Sequence, residues 1–95
     1  MTVHYTSVAE QALLEIANYT LQEWGSEQCE RYMSLLEAAC EEWIPANANL
    51  ARPVPERPQL RMLRCEHHMT YFRVVDDGFE IVHLLHERML PQRHL

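Results

Sequence analysis

The chain has 95 residues, 47% of them hydrophobic, and a formal charge of −6, which suits one domain spanning residues 1–95. A domain this small buries only about 60–65% of its unfolded surface, so it holds a core but gains from a covering partner. Net acidity disfavours non-specific nucleic-acid binding, which draws on phosphate neutralisation, so no direct DNA or RNA binding is expected of the chain alone. No run approaches the roughly 18 apolar residues that span a bilayer. The opening MTVHYTS has neither a basic nor an apolar leader segment, so a cytoplasmic protein is expected.

Charge is divided unevenly. Residues 1–50 carry Arg31 alone against eight glutamates, a balance of −7, whereas residues 51–95 carry seven arginines against six acids, a balance of +1. There is no lysine, so every fixed cation is a guanidinium, suited to planar contacts with carboxylate or phosphate. Cys29, Cys40 and Cys65 are odd in number and lack CxxC spacing, which predicts reduced, mostly buried thiols.

The chain opens on Val3–Thr6, which alternates like a short strand. Ser7 with Glu10 forms a capping-box pattern and announces a helix. Ala9, Leu13, Ile16 and Tyr19 make its apolar stripe, Leu14, Ala17 and Leu21 broaden it, and Trp24-Gly25 closes it. Ser26 can cap a second helix whose stripe runs Cys29, Tyr32, Met33, Leu36, Ala39, Cys40 and Trp43, with Pro45 as its end. Its other face carries Glu27, Glu30, Glu37, Glu41 and Glu42 and reads as solvated. The short joint predicts an antiparallel αα-hairpin, with Trp24 and Trp43 as core plugs.

Residues 45–59 hold four of the five prolines and read as an irregular loop. Three strands follow, over 60–65, 69–75 and 79–85. Glu66-His67-His68 turns the chain between the first two, and Asp76-Asp77-Gly78 makes a three-residue, bulged turn between the last two. The order is β-α-α-β-β-β, an α+β fold with the helical hairpin packed on a small, mainly antiparallel sheet.

Several residues spread over the chain carry a resemblance. They are the Ala9…Leu13…Ile16…Tyr19 stripe leading into Trp24-Gly25, then Gln28 and Tyr32, then Tyr71-Phe72-Arg73-Val74, and the ending Leu84-Leu85-His86-Glu87-Arg88-Met89-Leu90-Pro91-Gln92-Arg93-His94-Leu95. This pattern resembles the ParE branch of the RelE/ParE superfamily of toxins. It departs where Leu90 replaces the usual acid after Arg-Met, where Ala51-Arg52 stands for Gly-Arg, and in its acidity.

The resemblance implies the toxin of a type II toxin–antitoxin system, often serving plasmid stabilisation, which inhibits DNA gyrase by protein–protein binding. A cognate ParD-like antitoxin would neutralise it in a hetero-oligomer. Target contact is expected from Arg73, His86, Arg88, Met89, Arg93 and His94. Antitoxin contact is expected from Leu14, Ala17, Leu21, Arg61 and Arg64.

The main rival is a ribosome-dependent mRNA endoribonuclease of the RelE type; an inactive relative that only binds a partner is a third reading. Ribonuclease chemistry needs cations grouped with an acid and a base. Arg61 and Arg64 have opposite strand parity, although His86 or His94 could act as acid or base. Neither His67-His68 nor His83…His86 has metal-ligand spacing, so no metal, no cofactor and no catalytic residue are expected.

Overall fold

The computed structural model describes residues 2–89 and residue 95. Strand β1 (Thr2–Tyr5) leads into helix α1 (Ser7–Trp24) and helix α2 (Ser26–Ala38). A π-helical turn over Ala39–Trp43, a short α3 (Ile44–Asn47) and a 3-10 turn over Ala48–Leu50 extend α2. Strands β2 (Arg52–Val54), β3 (Arg57–Cys65), β4 (His68–Val75) and β5 (Gly78–His86) complete the chain. They form one five-stranded sheet in the order β1-β5-β4-β3-β2, antiparallel except where β1 runs parallel to β5.

The α+β hairpin-on-sheet architecture is the expected one, with local differences. Thr6, not Ser7, caps α1, its hydroxyl accepting the Ala9 amide at 3.1 Å while donating to the Val82 carbonyl at 2.9 Å. At α2 the capping position is Gly25, with a left-handed φ of 88°, and Ser26 is already helical. Pro45 does not end the helical segment. It sits in the first turn of α3, where its missing N–H costs no internal bond, and the π turn before it bonds the Ile44 amide to the Ala39 carbonyl.

The proline-rich segment is also more regular than its composition suggests. Pro53 lies in β2, an edge strand, where an absent amide is tolerated, and Glu56 takes a left-handed φ of 68° to turn the chain into β3. Cys65 pairs with His68, so Glu66 and His67 alone make the next turn. Val75 pairs with Gly78, so Asp76 and Asp77 make a two-residue turn where three were expected. Gly78 stands directly against Thr2, and a methyl group there would run into the Thr2 carbonyl oxygen.

The sheet buries apolar residues on both faces. Leu63, Cys65, Phe72, Phe79, Ile81 and Leu84 pack beneath Ala9, Ala12, Leu36, Cys40 and Ile44 of the helical layer. On the opposite face Val54, Leu60, Tyr71 and Leu85 form a second cluster with Met62, Met69, Val82 and Leu95. An irregularity at Val82 lets β5 shift register, so that Tyr71 pairs with His83 and Phe72 with Ile81. Among the described residues, no helix is long and apolar enough to cross a membrane.

Candidate functional site

The outer flank of the helical hairpin is unusually apolar. Leu14 is 60% exposed, Leu21 47% and Trp24 69%; with half-buried Ala17 they recur at steps of three, four and three residues. That spacing makes one continuous stripe on a helix whose other face is already spent on the core through Ala9, Ala12 and Thr20. Leu14, Ala17 and Leu21 thus form one surface, and Trp24 lengthens it. Trp24 and Trp43 are both exposed, not core plugs; Trp24 and Tyr19 face outward because the core beneath α1 fills with the small side chains Ala9 and Ala12.

The arginines are distributed differently. Arg64 shares strand parity with Leu60 and Met62, and Arg73 with Met69 and Tyr71, so both belong to the face away from the helices. Each is already engaged. Arg73 sets Nε and Nη2 on one oxygen of its cross-strand partner Glu80, at 2.7 and 2.6 Å. Arg64 reaches Glu87 at 2.7 Å and gives its Nε to the Glu66 carbonyl. Arg61 has the opposite parity and pairs with Phe72, which belongs to the helix-side core.

The expected antitoxin set is therefore not one patch. Arg64 groups with the residues after β5, and Arg61 lies on the other face of the same strand.

At the end of β5 three of the expected target residues, His86, Arg88 and Met89, come together, whereas Arg73 sits opposite Glu80 towards the other end of the β4–β5 pair. The Nδ1 of His86 accepts the Arg88 amide at 3.2 Å, and the Met89 amide bonds the His86 carbonyl at 2.9 Å. This fixes a tight turn that leaves His86, Arg88 and Met89 exposed. Arg93 and His94 lie outside the described residues.

Behind that turn is a network that the sequence reading did not identify. Tyr32 on α2 bonds Nδ1 of His68 at 2.6 Å and accepts the His67 amide at 3.1 Å. The His68 and His86 rings meet edge-on at 5.5 Å, and the His67 ring stacks on Tyr32. Burial, together with His86 and His67 nearby, pushes His68 down to about 4, so its ring is neutral at physiological pH. Tyr32 was legible only as a position in the α2 stripe. The signal available was chemical: a tyrosine on a buried stripe needs a partner for its hydroxyl. Among the described residues, no group of three or more His, Cys, Asp or Glu is placed to hold a metal ion.

The model of the ParE toxin family of type II toxin–antitoxin (parDE) systems matches residues 3–91. The chain belongs to the ParE toxin family. Toxin ParE1 of Mycobacterium tuberculosis (strain H37Rv) is 35% identical over 89 residues, covering 92% of this chain and 90% of the relative. Toxin ParE of Escherichia coli is 35% identical over 85 residues, covering 88% and 82% respectively. The fold is that of a chain in a chromosomal ParDE system from P. aeruginosa, with a TM-score of 0.71 at 22% identity, covering 90% of this chain and 95% of that one. It is also similar to a chain of the RelBE2 toxin–antitoxin complex of Mycobacterium tuberculosis, with a TM-score of 0.67 at 14% identity, covering 93% and 92%. As a ParE-family chain, the protein is a toxin of the type II toxin–antitoxin class.

Proposed function

We propose that this ParE-family toxin works by gripping DNA gyrase and that a ParD-like antitoxin neutralises it in a hetero-oligomeric complex in the cytoplasm. The observation that carries the reading is the pairing of Arg64 with Glu87 and Arg73 with Glu80. Two arginines on one sheet face could have served as phosphate clamps for RNA cleavage. Each instead faces a carboxylate, at 2.7 and 2.6 Å, which lowers the net positive charge that a phosphate clamp would need. Such paired groups suit recognition of a protein surface, where the pair can exchange partners without a net charge being stranded.

In this reading Arg73 and the tight turn of His86, Arg88 and Met89 contact gyrase, with Arg93 and His94 following them in the chain. The antitoxin takes the exposed stripe of Leu14, Ala17 and Leu21, whose apolar surface on a small domain needs a cover. Arg64 and Arg61, on opposite faces of β3, would meet different parts of such a wrapping partner.

The experiment is a gyrase supercoiling assay with the purified chain, run beside mRNA cleavage on translating ribosomes. Loss of supercoiling with intact mRNA is the expected result. Cut mRNA with normal supercoiling would establish the RelE-type activity instead, and neither effect would mark a partner-binding relative without toxicity.

A further inference from the structure

The sheet face away from the helices carries a second core, to which no helical residue among those described belongs. Val54, Leu60, Tyr71 and Leu85 come one each from β2, β3, β4 and β5, and they are only 2–6% exposed. An antiparallel sheet face without a covering layer is ordinarily solvated, so burial this deep needs a cover. Among the described residues of the cluster, Leu95 is the single member that belongs to no strand. It packs there half-buried, well past the end of β5 at His86.

A second contact holds the same residue. Arg57 opens β3, and its Nη2 donates to the Leu95 carbonyl at 2.8 Å. Arg57 pairs with Val54 across the β2–β3 turn, so the donor stands beside one of the four buried side chains. The rung Cys65–His68–His86 marks the opposite end of the sheet, where β5 finishes. Arg57 lies back along β3 from that rung by about 26 Å, at the rise of a strand. Leu95 therefore has two independent partners at a distance from the turn after β5: an apolar seat for its side chain and a guanidinium for its backbone.

We propose that Arg57 and Leu95 are positioning residues of the toxin. Together they clasp residue 95 onto the sheet, complete the second core, and hold the residues after β5 for target contact. The last clause rests on the reading that those residues meet the target. The two contacts differ in kind. Burial of the Leu95 side chain supplies attraction without direction, whereas the Arg57 bond fixes where the backbone lies. Residues beyond the last strand of a domain keep a defined position only when tied down in such a way. Neither residue touches the target in this assignment, and each acts through the backbone that it holds. Arg57 also differs from Arg64 and Arg73, which face carboxylates, in giving its Nη2 to a carbonyl.

The test is limited proteolysis of the full chain, read by mass as cleavage after Arg93. A protease must draw the residues on both sides of a bond into an extended run, which a seated Leu95 resists, so the cut follows the open population. Arg57 precedes Pro58, so replacing it neither removes nor creates a tryptic site. Arg57→Ala and Leu95→Asp should each speed the cut after Arg93 about tenfold, and Arg57→Lys, which keeps a donor, much less. Cleavage after Arg31, inside α2, reports general unfolding and should stay as slow as in the unaltered chain. Equal rates after Arg93 in all four proteins, or acceleration at Arg31 in step with Arg93, would overturn the clasp.

Toxicity is read separately. Induced without antitoxin, Arg57→Ala should arrest growth less than the unaltered chain, and Arg57→Lys nearly as well as it. Undiminished arrest with an open clasp would overturn the positioning role. Failure of the unaltered chain to inhibit supercoiling would strike the gyrase reading instead, and the proteolysis decides the clasp independently of that result.

Discussion

Tyr32 on α2 and His68 at the start of β4 are joined by a 2.6 Å hydrogen bond between layers that are 36 residues apart in sequence. The Tyr32 oxygen already accepts the His67 amide, so assigning its proton to Nδ1 of His68 leaves neither group without a partner. One hydroxyl therefore holds both the β3–β4 turn and the ring that touches His86. Through His86, whose Nδ1 and carbonyl fix the turn after β5, the helical layer supports the residues expected to meet the toxin's target.

Tyr32→Phe should keep the ring's packing and remove only this bond. The half-buried His68 Nδ1 and the exposed His67 amide then lose their partner, at a cost of about 1–2 kcal/mol, since water can reach the amide. Thermal or urea unfolding measures it. An unchanged midpoint would mean that water replaces the hydroxyl and that the network adds nothing to stability.

His68 also predicts a pH dependence. Burial lowers it to about 4 in the folded protein, with His86 and His67 adding repulsion, whereas the unfolded chain takes up the proton near 6.5. The folded-state value is the lower one, so the contribution is complete above pH 6.5 and is lost as pH falls towards 4. Allowing for partial solvent access, the loss is about 1–2 kcal/mol. Urea midpoints measured across this window should decline, and His68→Gln should flatten the decline. An equal slope in both proteins would assign it to other groups.

The helical hairpin was legible because its apolar spacings and the Trp24-Gly25 joint are local. The strands β3 to β5 were legible from alternation and from Asp76-Asp77-Gly78. What escaped depends on contacts distant in sequence. Strand β2 exists because an edge position forgives Pro53, and composition alone read that stretch as loop. Trp24 faces out because α1 approaches the sheet through Ala9 and Ala12, and Trp43 because Cys40 and Ile44 take the buried positions of its turn; residue size alone suggests the reverse. Arg73 was expected at the target surface, but its partner Glu80 follows from a cross-strand register that only the folded sheet sets. The Tyr32–His68 bond is the extreme case, joining a helix stripe to a turn.

Gly78→Ala should be severely destabilising, since Gly78 is buried against β1. The added methyl meets the Thr2 carbonyl, which is backbone and yields only if β1 moves away from β5. A loss of ~2–3 kcal/mol is expected. Hydrogen exchange should locate it, since the Thr6 amide bonds the Ile81 carbonyl at the end of this pair and should lose protection first. Normal protection there would show that the strand absorbs the methyl.

Arg73→Ala separates function from folding. The guanidinium side chain is 51% exposed, and an ion pair this open contributes at most about 1 kcal/mol. The variant should therefore fold and unfold almost normally. If Arg73 contacts the target, growth arrest on induction without antitoxin should weaken sharply all the same. Full toxicity with normal stability would remove Arg73 from the contact surface.

Leu21→Asp tests the stripe on α1. Leu21 is about half exposed, so losing its remaining contacts costs roughly 1 kcal/mol of stability, which leaves the fold intact. In a complex that covers Leu14, Ala17 and Leu21, the new carboxylate would be driven into an apolar interface with no cation on the stripe to meet it. It would also stand on a helical layer already crowded with exposed glutamates, from Glu27 to Glu42. Burial of an unpaired charge is costly enough to weaken association by about 10–100-fold, equivalent to ~1.4–2.8 kcal/mol. Calorimetric titration with a ParD-like antitoxin measures the change, and Leu21→Ala, which trims area without adding charge, should show a smaller loss. Equal affinity for all three proteins would place the antitoxin elsewhere, leaving the stripe of Leu14, Ala17, Leu21 and Trp24 without its proposed cover.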